Sequence, residues 1–256
     1  MLNLIDSDFL LFFCTYSKDK KELSFEEVQK VTKEFLIKIF SETNSTDYIG
    51  FFTAGNNYRK LVYPEYKANR RNKPVPNWLR ELKLWLIDNY NFVEHDGLEA
   101  DDCVNIYKHK YPEAIITSND KDVLMLPGLH YNPIKNTFIA STPEEYNYRF
   151  WSSMITGDPG DNIKGIPGYG PRTAKNILIN DLENGFQYKE TTLLSYCKVY
   201  GEHQGILEFY KNYMCLKILD NFPTDAYQFF EPKKIDNDFR TIQDESNNTN
   251  STIQSF

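Results

Sequence analysis

Short apolar runs that end in acids, set between longer segments of helical period, limit the possible folds of this chain more than any other feature. Leu2-Asn3-Leu4-Ile5 runs into Asp6, and Tyr48-Ile49-Gly50-Phe51-Phe52-Thr53 is a second buried run, without an acid at its end. Phe92-Val93 leads to Asp96-Gly97-Leu98-Glu99-Ala100-Asp101-Asp102, and Ala114-Ile115-Ile116-Thr117-Ser118 ends in Asn119-Asp120-Lys121-Asp122. Each run is too short for a helix and apolar enough for a strand covered on both faces. Between them, Ser24 and Glu27 form a capping box, and Phe25, Val28, Val31, Phe35 and Ile39 keep helical spacing to about position 41. Trp78, Leu79, Leu82, Trp85 and Leu86 repeat that spacing in a further core helix. The pattern predicts an α/β class: a central, mainly parallel twisted sheet flanked by helices, with functional groups at the C-terminal strand ends. A short hairpin at about 130–140 and helices at 143–155, 173–179, 191–200 and 202–217 complete the reading.

The acids are too numerous for helix capping alone. Glu99, Asp101 and Asp102 crowd one helix start, where one or two would suffice. Asp120 and Asp122, two apart in an extended segment, point the same way and can share one ion. Asp158 and Asp161 stand three apart in the Gly/Pro-punctuated turn Gly157-Asp158-Pro159-Gly160-Asp161-Asn162. Such groups meet only around positive charge, and all-oxygen ligation suits Mg²⁺ or Mn²⁺ rather than zinc. Directly after that turn, Gly165-Ile166-Pro167-Gly168-Tyr169-Gly170 forms a glycine hairpin running into a helix at Pro171. Its unpaired backbone N–H groups suit a phosphate.

Net charge is −7, which argues against a nucleic-acid partner until its distribution is considered. From Arg59 to Lys83 there are eight Lys and Arg residues against two acids, Glu65 and Glu81. Cations interleaved with Tyr58, Tyr63 and Tyr66 are what a single-stranded nucleic acid needs, phosphates held by charge and bases by rings. The cysteines (Cys14, Cys103, Cys197 and Cys215) lie far apart with no CxxC, which reads as free thiols in a reducing compartment. The N-terminus lacks a basic start and no stretch has the ~20 apolar residues of a membrane span, so a cytoplasmic protein without membrane association is expected.

The run from Gly157 to Lys175 resembles the helix–three-turn–helix of the 5′-nuclease superfamily: flap endonucleases, bacteriophage 5′→3′ exonucleases including phage ribonuclease H, and the 5′-nuclease domain of bacterial DNA polymerase I. PEYKANR at 64–70, G-L-E-A-D-D at 97–102 and S-x-D-x-D-x-x-x-L at 118–126 are similar to further motifs of that family, in the same order. The resemblance spans about residues 1–220 and implies a PIN-like core at 1–140 with a helical arch at about 55–76. A helix–three-turn–helix subdomain would occupy 141–235, and composition predicts a flexible tail at 236–256. It further implies a two-metal phosphodiesterase with Mg²⁺, replaceable by Mn²⁺. By family position Asp6, Glu99 and Asp101 fall on one metal and Asp120, Asp122, Asp158 and Asp161 on the other, with Asp102 beside both through water. Lys67 and Arg70 would hold the scissile phosphate and act in catalysis, and Tyr66 would stack on a base. Arg59 and Arg71 would add to the nucleic-acid surface, and Gly165, Gly168, Gly170, Arg172 and Lys175 would grip the duplex with K⁺ at the hairpin.

The implied substrates are DNA with 5′ flaps or ends and RNA–DNA primer junctions. The implied protein is a monomer of bacteriophage type in the host cytoplasm, with a single-strand-binding protein or clamp as partner. The chain departs from the family in one place. Relatives usually carry an Asp at the end of the second strand, seven residues before the arginine matching Arg59, and here that position is Phe52. Asp47 lies at the opposite end of the strand, roughly 16 Å away, and Asn56 is a candidate to fill the gap. Two other functions are open on the sequence: a structure-specific DNA-binding protein weakened in catalysis through Phe52, and a PIN-type ribonuclease, which would lack the glycine hairpin.

Overall fold

The computed structural model describes residues 1–15, 23–71, 74–183, 187–236 and 239. β1 (Leu2–Asp6), β2 (Asp47–Phe52), β3 (Phe92–Glu94), β4 (Ile115–Thr117) and β5 (Gly128–Asn132) lie parallel in the order β3-β2-β1-β4-β5. β6 (Thr137–Ser141) adds to β5 as an antiparallel hairpin. α1 (Asp8–Thr15) and α2 (Phe25–Glu42) join β1 to β2, a single-turn α3 (Arg59–Val62) and α4 (Leu79–Asn89) join β2 to β3, and α5 (Ala100–Lys110) joins β3 to β4. The capping box at Ser24 forms as expected, with its hydroxyl accepting from Glu27 N–H. From β1 the chain runs to one side through β2 and β3, then crosses back to β4 on the other side. Connections therefore diverge at the C-terminal ends of β1 and β4 and leave a crevice there.

Period-2 geometry sends neighbouring side chains of β2 to opposite faces. Phe52 stacks on Phe92 at 5.6 Å in a core with Phe35, Phe40, Leu82 and Leu86. Phe51 packs against Tyr107 of α5 at 4.6 Å on the other face. A second core lies among α6 (Pro143–Thr156), α7 (Pro171–Glu183), α8 (Tyr188–Tyr200) and α9 (Glu202–Leu216), centred on Trp151, Met154, Ile155, Ala174, Tyr196 and Phe209. Between α6 and α7, the short strands β7 (Gly157–Asp158) and β8 (Ile163–Lys164) pair across the acidic turn. Gly165 is required there, because a Cβ would collide with Gly157 N and Ile155 O.

Three features depart from the sequence reading. The apolar segment after Asp6, to which the sequence reading assigns no element, is a helix, α1. Segment 55–76 holds only α3 and a 3₁₀ turn, Ala68–Arg70, within its described residues, not a long helical arch. The helical subdomain ends at Leu216: beyond it Ile218 and Ile235 pack in the two sheet cores, and β9 (Lys233–Lys234) pairs antiparallel with β2. The tail expected at 236–256 lies, but for Asp236 and Phe239, outside the described residues. No described helix is long and apolar enough to cross a membrane.

Candidate active site

The crevice is a groove in two connected halves. Asp6, Asp8, Thr53, Glu99, Asp101 and Asp120 line its inner half, over the ends of β1 and β2. Asp101, Asp120, Asp122, Asp158 and Asp161 line the outer half, against α6 and the acidic turn. Lys67, Arg70, Asp101 and Asp120 border both. Seven of the eight sequence-selected acids thus meet in one place, delivered by β1, by the start of α5, by the segment after β4 and by the turn after α6.

Local structure explains each placement. Asp6 ends β1 and accepts from Ser118 Oγ at 2.7 Å, so β4 orients the acid of its neighbour. Glu99 precedes α5, with its backbone N–H donating to Asp102 Oδ2 at 3.2 Å. Asp120 and Asp122 are not on an extended segment: the Asp122 N–H donates to Asp120 Oδ1 at 2.7 Å and a 3₁₀ turn follows. A short polar side chain that can satisfy the backbone two residues on favours such a turn over a strand. Both carboxylates still line the outer half, with different partners. Asp122 pairs with Arg149 at 2.9 Å, while Asp120 faces the junction of the two halves. Asp158 accepts from Gly160 N–H at 2.7 Å, which shapes its turn in the same manner.

Asp102 lies elsewhere. It is fully buried and lines neither half; Arg59 grips both its oxygens, Nη1 to Oδ2 at 2.5 Å and Nη2 to Oδ1 at 2.7 Å, and Leu219 N–H donates at 3.0 Å. With its acceptor capacity used inward, it has nothing to offer a metal in the groove, even through water. Arg59 is correspondingly no nucleic-acid contact. It is 1% exposed, and its remaining donors hold Cys215 O at 3.0 Å and Lys217 O at 2.8 Å. Tyr66 is also buried, and its ring packs with Ile163 and Cys215 instead of standing free for a base. Its hydroxyl lies 2.8 Å from Glu99 Oε2 and 3.1 Å from Asp161 Oδ2, bridging the two halves of the groove.

Lys67 and Arg70 sit where the sequence puts them, over the acids. Lys67 Nζ is 2.7 Å from Glu99 Oε1 and 3.9 Å from Asp161 Oδ2, and Arg70 Nη2 is 2.6 Å from Asp161 Oδ1. The Lys67 backbone is left-handed, φ 53°, an unfavourable state for a residue with a Cβ. Its N–H is fastened to Asp161 O at 2.9 Å, which holds the strained residue in place. Arg71 turns away, donating to Pro64 O at 2.8 Å. Gly168, with φ 79°, and Gly170 shape the hairpin, and Arg172 and Lys175 are exposed on α7; none of the four borders the groove. Asn56 does not fill the gap left by Phe52. It is exposed and engaged with Asp96 at 2.5 Å and with the Gly97 N–H at 3.0 Å.

Crowding sets the electrostatics. Burial pushes the Asp6 carboxyl up to about 7, with repulsion from Asp8 and Asp120 adding and the Ser118 bond opposing. Burial, then Asp102 and Glu99, push Asp101 well up. Asp161 is raised by burial against the pull of Lys67 and Arg70. Burial also acts upward on Glu99, but Lys67 and Arg59 outweigh it and hold the group below its ordinary range. Among the described residues no three acids stand together as a ready cage, since lysine and arginine heads occupy the spaces between them.

Residues 1–148 match the protein family described as 5′-3′ exonuclease, N-terminal resolvase-like domain. The chain belongs to that family. This 5′-3′ exonuclease relative is 30% identical over 212 residues to a 5′-3′ exonuclease of Mycoplasmopsis pulmonis, covering 75% of this chain and 71% of that protein. It is 32% identical over 146 residues to DNA polymerase I of Rhizobium leguminosarum, which is 50% of this chain but 14% of the polymerase. Among solved structures, the bacteriophage T5 flap endonuclease in complex with DNA and metal ions has the same fold. The TM-score is 0.63 over 84% of this chain and 88% of that one, at 17% identity.

Among the groove residues that sequence reasoning missed in this exonuclease-family chain, three stand out on α1. Asp8, in the first turn of α1, faces the inner half beside Asp6. Phe12 and Phe13 line the same half with rings 50% and 40% exposed. All three lie on α1, to which the sequence reading assigns no element, because helical spacing within Asp8-Phe9-Leu10-Leu11-Phe12-Phe13 is hidden by its nearly continuous apolar character.

Proposed function

We propose that this chain is a divalent-metal-dependent, structure-specific 5′-nuclease that hydrolyses phosphodiesters of flapped or branched DNA and of RNA–DNA primer junctions. Mg²⁺ is the ordinary ion in this reading and Mn²⁺ can replace it. The observation that carries it is the single groove at the C-terminal strand ends, where acids from four separate stretches meet beneath Lys67 and Arg70. The donor set fits such ions: its acids offer carboxylate oxygens, no His lines the groove, and the one lining thiol, Cys215, is buried and pushed up to about 11, which suits hard cations over soft ones. Asp6 and Asp101, held above their ordinary range by burial and by repulsion from the acids beside each, are acids that a bound cation would relax. When bound, divalent ions supply Lewis acidity, lowering the pKa of water and neutralising charge on the leaving oxygen.

The chain's own residues do the rest. Asp6, Asp101 and Glu99 would hold an ion in the inner half; Asp120, Asp122, Asp158 and Asp161 would hold one in the outer half. Lys67 and Arg70 can exchange their carboxylate partners for an incoming phosphate of the same charge, and so orient the scissile group over the acids. The Tyr66 hydroxyl keeps Glu99 and Asp161 at a fixed spacing during that exchange. The Gly165–Gly170 hairpin, with Arg172 and Lys175 beyond it, would grip the duplex by its phosphates, without reading sequence and with K⁺ as counter-ion. That the T5 flap endonuclease of like fold was crystallised with DNA and metal ions supports the reading. The test is incubation with a 5′-flap DNA and with an RNA hairpin, under Mg²⁺, Mn²⁺ or EDTA. Flap cleavage with either metal and none with EDTA is expected. Binding without cleavage would make it a structure-specific binding protein, and cleavage of the RNA alone a ribonuclease.

A further inference from the structure

We infer that Asp8 supplies the inner half of the groove with the carboxylate that strand β2 lacks. The inference rests on the metal-dependent reading above and concerns which residues of this chain complete the inner ion site. At the end of β2, Phe52 is fully buried against Phe92 and cannot turn outward without opening the core. The next residue, Thr53, is uncharged, and Ala54 follows. Asp8 reaches this spot from another element. Its Oδ1 accepts the Thr53 N–H at 3.1 Å, so the carboxylate is fixed directly over the strand end.

Thr53 also links this spot to α5. Its hydroxyl stands beside Asp8, and its oxygen accepts the Ala100 N–H at 3.0 Å, at the first residue of α5 between Glu99 and Asp101. Asp8 is thus tied to the end of β2 and, through Thr53, to the start of α5 that carries Glu99 and Asp101, and it lines the same half-groove as Asp6, Glu99, Asp101 and Asp120. The cation that acts on Asp8 is shared with other partners. Lys83 draws on Asp8 electrostatically but donates to Thr53 O at 2.9 Å and pairs with Glu94 at 2.5 Å. One Asp8 oxygen serves Thr53 and the carboxylate still has lone pairs for an ion, directly or through one water.

A purely structural Asp8 would be a strut between α1 and β2, and substitution separates the two roles. Asp8→Asn keeps an oxygen for the Thr53 N–H and removes only the charge. The measurement is Mn²⁺ binding to the DNA-free protein, followed by electron paramagnetic resonance of free Mn²⁺, with thermal melting as a check on the fold. Asp8→Asn should bind the tighter Mn²⁺ roughly ten- to a hundredfold more weakly, the effect of losing a group that touches or supports a metal ligand. The double variant D8N/T53D, which moves the acid onto the strand end itself, should recover most of that loss. Thr53 is half-buried at the groove and its replacement avoids the core position of Phe52. Unchanged Mn²⁺ affinity in a folded Asp8→Asn protein, or no recovery in a folded double variant, would overturn the inference and leave the nuclease reading standing. A wild-type protein that binds no Mn²⁺ at all would overturn both.

Discussion

A guanidinium taken out of water must be paired on every side, and Arg59 is: two bonds to Asp102, two to backbone carbonyls at the end of α9 and beyond it, and Glu99 Oε2 at 3.4 Å. It thereby pins the segment after β2, the start of α5 and the end of α9 together beneath the groove. Replacing it with methionine strands Asp102 as a buried unpaired charge, so Arg59→Met should lose roughly 3–5 kcal/mol of stability, seen in the urea midpoint. R59M/D102L should regain much of it, because removing both charges costs far less than removing one. An unmoved midpoint in Arg59→Met would refute the pinning role. Asp120→Asn should do the reverse. The amide oxygen can still accept the Asp122 N–H, so the turn and the fold persist. The groove loses an acid shared by both halves, and flap cleavage should fall at least roughly a hundredfold with duplex binding retained. Wild-type turnover would take Asp120 out of the site. The acids were legible in the sequence because strand ends and turns are local features. The burial of Arg59 and Tyr66 was not. A run of cations and tyrosines looks the same exposed or buried, and the partners that bury Arg59 lie 43 and 156 residues away.

At the level of elements, the hairpin between α6 and α7 separates two uses of glycine. Gly165 lacks a side chain because Gly157 N and Ile155 O occupy the space of one, whereas Gly168 has open space around it and needs only its φ of 79°. Gly165→Ala must therefore push β7 and β8 apart, along with the turn that carries Asp158 and Asp161, at a cost of about 1–3 kcal/mol. Gly168→Ala pays only for a left-handed backbone, roughly 1 kcal/mol. The two should also differ in function, with flap cleavage impaired in Gly165→Ala far beyond its effect on duplex affinity. Comparable cleavage in both would mean that the hairpin and the acidic turn move independently. The sequence exposed this hairpin through its Gly/Pro spacing, and the sheet through its apolar runs. It concealed α1, whose exposed face carries Phe12 and Phe13, and β9, two lysines whose pairing with β2 is set wholly by tertiary packing.

Over the whole molecule, the chain beyond α9 returns to the sheet and closes around His95. Phe222 and Phe230 lie 4.9 and 5.2 Å from its ring, and Nε2 is 3.1 Å from Tyr107 Oη. Burial in that setting lowers the His95 pKa from 6.5 to about 4, and His130, bonded through Nε2 to Leu126 O, is lowered for the same reason. Between pH 6.5 and 4 the unfolded chain therefore takes up a proton at His95 that the folded chain refuses. Stability from this residue is complete above about 6.5 and is lost as pH falls toward 4, by about 2 kcal/mol at pH 5. The groove acids that burial raises act with the opposite sign in metal-free protein. Asp6, raised to about 7, is protonated more readily when folded, so acidification through that range favours the folded state. A single pH profile would blend the two. The difference between wild type and His95→Gln isolates the histidine, because both proteins carry the same groove. In urea unfolding without metal, the advantage of wild type over His95→Gln should shrink by about 2 kcal/mol from pH 7.5 to pH 5. A gap that stays constant would mean that His95 is protonated without opening its aromatic enclosure, and that the returning segment does not seal it from water.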